Sequence, residues 1–191
     1  MPEASDINGR IGARIRQLRG ARGLSLEALA ERAGVSRSMI SLIERGGASP
    51  TAVVLERLAS GLGVMLADLF AAPAAAPCPV SRRTEQAEWR DPASGYLRRN
   101  LSPPGFAAPL HLVEVEFPPG ARVAYETGPR PAVVHQQIWV IAGRIEIVLG
   151  EASHALAAGD CLAMVLDRPI TFHNPTAKPA RYLVAIATAA S

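Results

Sequence analysis

The sequence predicts a two-domain protein, α-helical first and β-rich second. Three observations predict it. Apolar residues recur at helical spacing up to about residue 70. An Ala/Pro run, Ala71 to Pro79, follows, and such a segment reads as a semi-rigid linker rather than as helix or strand. Beyond it, short runs alternate apolar and polar residues between Pro/Gly turns, the mark of strands. A chain of 191 residues is comfortable as two small domains. The expected boundaries are 1–70 for the helical domain, 71–82 for the linker and 83–191 for the β domain.

Five helices are expected in the first half. Ile11, Ile15 and Leu18 mark the first. Ser25 is placed to cap the second, where Leu26, Leu29 and Ala33 keep helical spacing and Gly34 ends it. Ser36 caps the third, with Ile40 and Ile43 facing inward. Ser49-Pro50, a cap followed by proline at the first helical position, opens the fourth, whose buried stripe is Leu55, Leu58 and Leu62 before Gly63. A short fifth helix is expected from Met65 to Phe70.

In the second half, HLVEVEF puts His111, Val113, Val115 and Phe117 on one face of a strand. Pro118-Pro119-Gly120 turns the chain. IWVIAGRIEIVLG holds the Gly143 turn between two apolar strands, and Ala158-Gly159-Asp160 turns before CLAMVL. PITFHNP and RYLVAIA close the pattern. Six or more short strands in about 100 residues predict a double-sheet jelly roll or small barrel.

Composition narrows the function classes. The net charge of +3 is a weak basic bias that permits a nucleic-acid partner without demanding one. Lys178 is the only lysine, which with abundant Ala and Pro reads as codon bias before function. Cys78 and Cys161 lack metal-type spacing, and Cys161 is expected to be a buried, inert thiol. No signal-peptide core or membrane-length apolar run is seen, so a cytoplasmic protein with no membrane partner is expected.

The second helix, the Ala33-Gly34-Val35-Ser36 turn and the third helix form the unit with a chemical message. Ile40 and Ile43 anchor the third helix, so its outer face presents Ser36, Arg37, Ser38, Ser41, Leu42 and Arg45. A helix held this way fits the DNA major groove, where Arg reads guanine and Ser meets base edges or phosphate. The run LSLEALAERAGVSRSMISLIERGGASPTAVVLERLASGLGV resembles the Xre, lambda-repressor-like helix-turn-helix family along its length. The resemblance places Arg37, Ser38 and Leu42 at base edges, and Ser25, Leu26 and Arg45 at the phosphate backbone. Leu42 departs from the polar residue often found at its position; it either meets a thymine methyl or adds nothing to specificity. Arg19 and Glu44 match a structural ion pair that the family places between the first and third helices. A helical bundle with no nucleic-acid role is the plainer alternative.

The β half resembles a cupin, a double-stranded β-helix. The pieces that carry this are Val140-Ile141-Ala142-Gly143, Leu156-Ala157-Ala158-Gly159-Asp160 and Asn174 after a short strand. The order helix-turn-helix, linker, cupin is similar to that of bacterial regulators, among them the sulfur-utilisation type. The resemblance implies that metal-binding cupins would carry ligands near 129–132 and at the positions of Gln136 and Ile170. Neither Gln nor Ile replaces imidazole or carboxylate toward a transition metal, so no metal, no cofactor and no catalytic residues are expected. Strand parity turns His135 and His173 away from the axis if Gln136 and Ile170 face it. Candidate residues for an effector pocket are His111, Tyr125, Arg130, Gln136, Met164, Ile170, Phe172 and Tyr182. Arg130 with a neighbouring amide and imidazole would suit a carboxylate or sulfate-like anion. Singly, Arg130 also reads as a loop charge and His111 as a satisfied core histidine.

The function expected is a dimeric, sequence-specific regulator that binds a double-stranded DNA operator and senses a small molecule without metal. Two alternatives are a cupin enzyme tethered to a DNA-binding head and a regulator whose barrel only dimerises.

Overall fold

The structure, a computed structural model, describes residues 4–70, 78–106, 109–126 and 133–188. It divides into two units, Met1–Val80 with Pro103–Phe106 and Ser81–Ser102 with Ala107–Ser191. Residues 71–77, most of the expected linker, lie outside the described residues.

The first unit holds α1 (Ala4–Ala21), α2 (Leu26–Ala33), α3 (Arg37–Glu44) and α4 (Ala52–Leu62). Its core is the apolar stripe of each helix: Ile11, Ile15, Leu29, Ile40, Ile43, Leu55 and Leu58 are fully buried. Caps set the helix ends. The Ser25 and Ser36 hydroxyls accept the Ala28 and Met39 amides at 3.1 and 3.3 Å. Gly34, at φ 61°, ends α2 in the left-handed conformation that a side chain disfavours.

Two expectations are corrected here. The cap of α4 is Thr51, whose hydroxyl accepts the Val54 amide at 3.3 Å, and Pro50 stands before the helix. Ser49 is occupied otherwise: its hydroxyl accepts Asn8 Nδ2 at 3.1 Å. The expected fifth helix is a 3-10 turn, Leu66–Phe70, so the described residues hold four α-helices. The Asp68 carboxylate accepts the Met65 amide at 2.8 Å, tightening that short turn.

Among the described residues the second unit holds a short 3-10 turn (Arg83–Glu85) and ten strands: β1 (Glu88–Arg90), β2 (Leu97–Asn100), β3 (Leu110–Phe117), β4 (Arg122–Tyr125), β5 (Val134–Ala142), β6 (Arg144–Leu149), β7 (Ala152–Ala157), β8 (Cys161–Val165), β9 (Ile170–His173) and β10 (Ala180–Thr188). They form two sheets, ordered β1-β2-β3-β10-β5-β8 and β4-β9-β6-β7, with antiparallel pairing. The period of two is plain in β5, where Val134, Gln136, Ile138 and Val140 are buried and His135, Gln137 and Trp139 are exposed. Gly143, at φ 79°, carries the chain from one sheet to the other; a Cβ there would stand 2.6 Å from the Pro179 carbonyl oxygen. Asn174, fully buried, pins the end of this unit. Its Nδ2 donates to the Phe117, Pro118 and Lys178 carbonyls, and its Oδ1 accepts from the Thr176 amide and hydroxyl.

Candidate functional site

The first candidate surface is built on α2 and α3. Ile40 and Ile43 bury one face of α3 completely, which leaves Arg37, Ser38 and Leu42 exposed and Ser41 half-buried on the other. Leu26, Arg37, Ser38, Ser41 and Arg45 line one groove. Arg45 stands at the C-cap of α3 and donates Nη1 to the Ser41 hydroxyl at 3.0 Å. Ser36 and Ser38 hydroxyls lie 3.2 Å apart at the start of the helix. Leu42 is 38% exposed, and its Cδ1 occupies the space that a side chain on Gly47 would need. Arg37 donates Nε to Glu27 Oε1 at 2.7 Å across the mouth of the turn.

Arg19 fixes the far end of α3. Its Nε and Nη2 donate to Glu44 Oε1 and Oε2 at 2.7 and 2.8 Å, and its Nη1 donates to the Leu24 carbonyl at 2.9 Å. The hydrogen bond to Glu44 raises the Arg19 pKa above its ordinary value, burial opposes this, and the Glu44 charge adds to it. A two-pronged pair of this kind constrains direction as well as distance. The recognition-type helix is thus seated by apolar contacts and a charge fork, with two guanidinium groups and several hydroxyls outward. That set suits guanine edges and phosphate oxygens.

The second candidate site lies between the sheets of the β unit. Gln136 is buried, with Ile186 and Met164 as its registered neighbours; half-buried His111 pairs with Ile186 from the other side. Tyr125, Phe172 and Tyr182 form a separate aromatic group, with Tyr125 edge-on to Phe172 at 6.0 Å and Phe172 stacked on Tyr182 at 6.2 Å. Ile170 is buried and pairs with Tyr125. Arg130 lies outside the described residues.

The aromatic group is larger than expected from sequence. Tyr182 meets Phe117 at 6.2 Å, Phe117 meets Tyr96 at 5.8 Å, and the Tyr96 hydroxyl reaches the Tyr125 hydroxyl at 3.2 Å, closing a ring of five side chains. Arg98, only 6% exposed, belongs to this interior. Burial pushes the Tyr182 hydroxyl well above the ordinary tyrosine range, Tyr96 adds to the shift, and Arg98 opposes it. Tyr96 and Arg98 are functional candidates that sequence reasoning missed. Their signal was the i, i+2 spacing in GYLRRN, masked by a run of charges that reads as a solvated edge.

At the positions implied for metal ligands, Gln136 and Ile170 are both buried. His135 is exposed, and His173 lies on the other face of its strand, with Nδ1 3.2 Å from Glu146 Oε2. Among the described residues no three His, Cys, Asp or Glu side chains gather where they could hold a metal ion. Cys161 is exposed, contrary to the expectation of a buried thiol, because it falls on the outward parity of β8 beside Trp139. Among the described residues no helix is long and apolar enough to cross a membrane.

These features define a helix-turn-helix transcription regulator joined to a β-rich unit. A family model described as a helix-turn-helix domain matches residues 10–72. The chain is 28% identical over 160 residues to the HTH-type transcriptional regulator SutR of Escherichia coli (strain K12), covering 84% of each protein. It is 36% identical over 64 residues to an uncharacterized HTH-type transcriptional regulator, y4dJ, of Sinorhizobium fredii, covering 34% of this chain and 83% of that one. A crystal structure of an HTH_3 family transcriptional regulator from Vibrio cholerae matches 98% of this chain and 100% of its own, at 27% identity and a TM-score of 0.79. The chain belongs to the HTH-type transcription regulators.

Proposed function

We propose that this DNA-binding regulator acts as a cytoplasmic homodimer on a specific operator, with a cupin jelly roll that senses a small anion and performs no catalysis. The observation that carries the first part is the seating of α3, whose apolar face is buried while Arg37, Ser38 and Leu42 are exposed. On this reading those three meet base edges. Ser25, Leu26, Ser36, Ser41 and Arg45 serve the backbone and the orientation of the helix. Domains at 1–70 and 83–191, joined through 71–82, divide the two tasks.

The sensing reading is supported by Arg98, a cation placed within an aromatic interior. A guanidinium matches an anion with parallel oxygens, such as a carboxylate or sulfonate, in two-pronged hydrogen bonds. Gln136 and Ile170 offer poor chemistry for a catalytic metal, which favours sensing over an enzyme.

The test is gel retardation with duplexes selected from a random library by the purified chain. Arg37→Ala should weaken binding to the selected duplex by about 1–3 kcal/mol and leave scrambled duplex nearly unchanged. Failure to enrich any sequence would end the operator reading. A thermal-shift screen of small carboxylates and sulfonates checks the effector; no shift with any of them leaves the barrel as a dimerisation scaffold.

A further inference from the structure

Glu27 is an acid paired with Arg37, which lines the exposed groove of α2 and α3. It is the second residue of α2, and its Oε1 accepts Arg37 Nε at 2.7 Å. Both side chains are open to solvent, 66% for Arg37 and 60% for Glu27, so the pair contributes little to stability. A carboxylate beside a groove lined by Arg37 and Arg45 is costly for any protein that only needs to hold phosphates. Its position makes sense if discrimination is the gain.

A guanidinium bound through Nε still presents Nη1 and Nη2 as a parallel pair of donors, the pair that matches guanine O6 and N7. Tethering Nε also restrains a side chain that otherwise samples many rotamers. The negative charge meanwhile disfavours a slide of Arg37 toward the nearest phosphate. We propose that Glu27 is a specificity-determining positioning residue: it aims Arg37 at a base edge and penalises sequence-independent binding to the DNA backbone. This rests on the reading of Arg37 as a base contact.

The experiment compares wild type, Glu27→Gln, Glu27→Asp, Arg37→Ala and the Glu27→Gln/Arg37→Ala double variant, all as full chains. Each is titrated with the duplex selected by wild type, with the same duplex changed at one guanine at a time, and with scrambled duplex, across a salt series. Glu27→Gln should bind scrambled duplex about threefold to tenfold more tightly, with a salt dependence steeper by up to about one phosphate equivalent. Its discrimination at a single guanine should fall by about threefold or more. Glu27→Asp keeps the charge but shortens the reach, so it should lose guanine discrimination without gaining affinity for scrambled duplex. Neither change should move the melting temperature. In the Arg37→Ala background, Glu27→Gln should no longer alter guanine discrimination. Unchanged discrimination and unchanged scrambled-duplex affinity in Glu27→Gln would overturn the proposal, as would an undiminished effect without Arg37. If Arg37→Ala weakens selected and scrambled duplex equally, the base-contact reading falls and this proposal falls with it. If only the Glu27 variants are silent, the base contact stands and the role of Glu27 is refuted.

Discussion

Tyr182 carries a measurable signature of the β-unit interior. Its hydroxyl is held protonated by burial, so its folded-state pKa lies well above that of the unfolded chain. Below about pH 10 both states keep the proton and the residue adds no pH dependence. Above that the unfolded state releases its proton first, so stability falls as pH rises toward the folded-state pKa. Urea unfolding at pH 8 and pH 11 should therefore show a smaller alkaline loss in Tyr182→Phe than in wild type; equal losses would mean that the hydroxyl titrates freely in the folded protein. The same neighbourhood marks a limit of residue-level reading. Buried Gln136, Phe172 and Tyr182 follow from alternation, but Arg98 does not, because a charged side chain in a charged run is normally solvated and only the folded register puts it beside Val115.

At the scale of elements, the contact between α1 and α3 depends on an absent side chain. A Cβ on Gly12 would stand 2.1 Å from the Ile43 carbonyl oxygen, so the two backbones touch at that point. Gly12→Ala should push α3 off its seat and lower the stability of the helical unit by about 1–3 kcal/mol, as overpacking does. Chemical unfolding monitored by circular dichroism measures this, and operator affinity should fall with it. Gly20→Ala, also in α1 but with nothing within 4 Å of the added carbon, is the control and should lower neither. The helices themselves were legible because their signals are local: Ser25, Ser36, Gly34 and Gly63 act within one turn of their own position. The start of α4 was misread because Ser49 and Thr51 are both capping residue types; in the fold Thr51 takes the cap, and the Ser49 hydroxyl accepts from Asn8, a residue 41 positions away. The strands β1, β2 and β4 escaped notice because each is three or four residues long and lacks the apolar pair that marks β9, and β7 escaped because the small residues of ASHALA carry little strand signal.

At the scale of the whole molecule, one chain offers one recognition-type helix. A homodimer would present two, and symmetry would then be written into the DNA. Duplexes selected from a random library should contain inverted half-sites with centres about 34 Å, one helical turn, apart. A single asymmetric motif, or a monomer by sedimentation at the binding concentration, would count against the dimer. The two-unit organisation was legible from composition alone, since the Ala/Pro run separates two hydrophobic periods. The strand order was not, because pairing such as β3 with β10 joins residues far apart in the chain and leaves no local trace.

Asn174 ends with a chemical consequence. Asparagine side chains age when the next residue's amide nitrogen attacks them and closes a five-membered imide. Here the next residue is Pro175, which has no N–H to attack with, and the side-chain amide makes five hydrogen bonds to four residues. The pin that joins the ends of β3, β9 and β10 is thereby shielded from deamidation, and the barrel should keep this fastening intact over a long cellular lifetime.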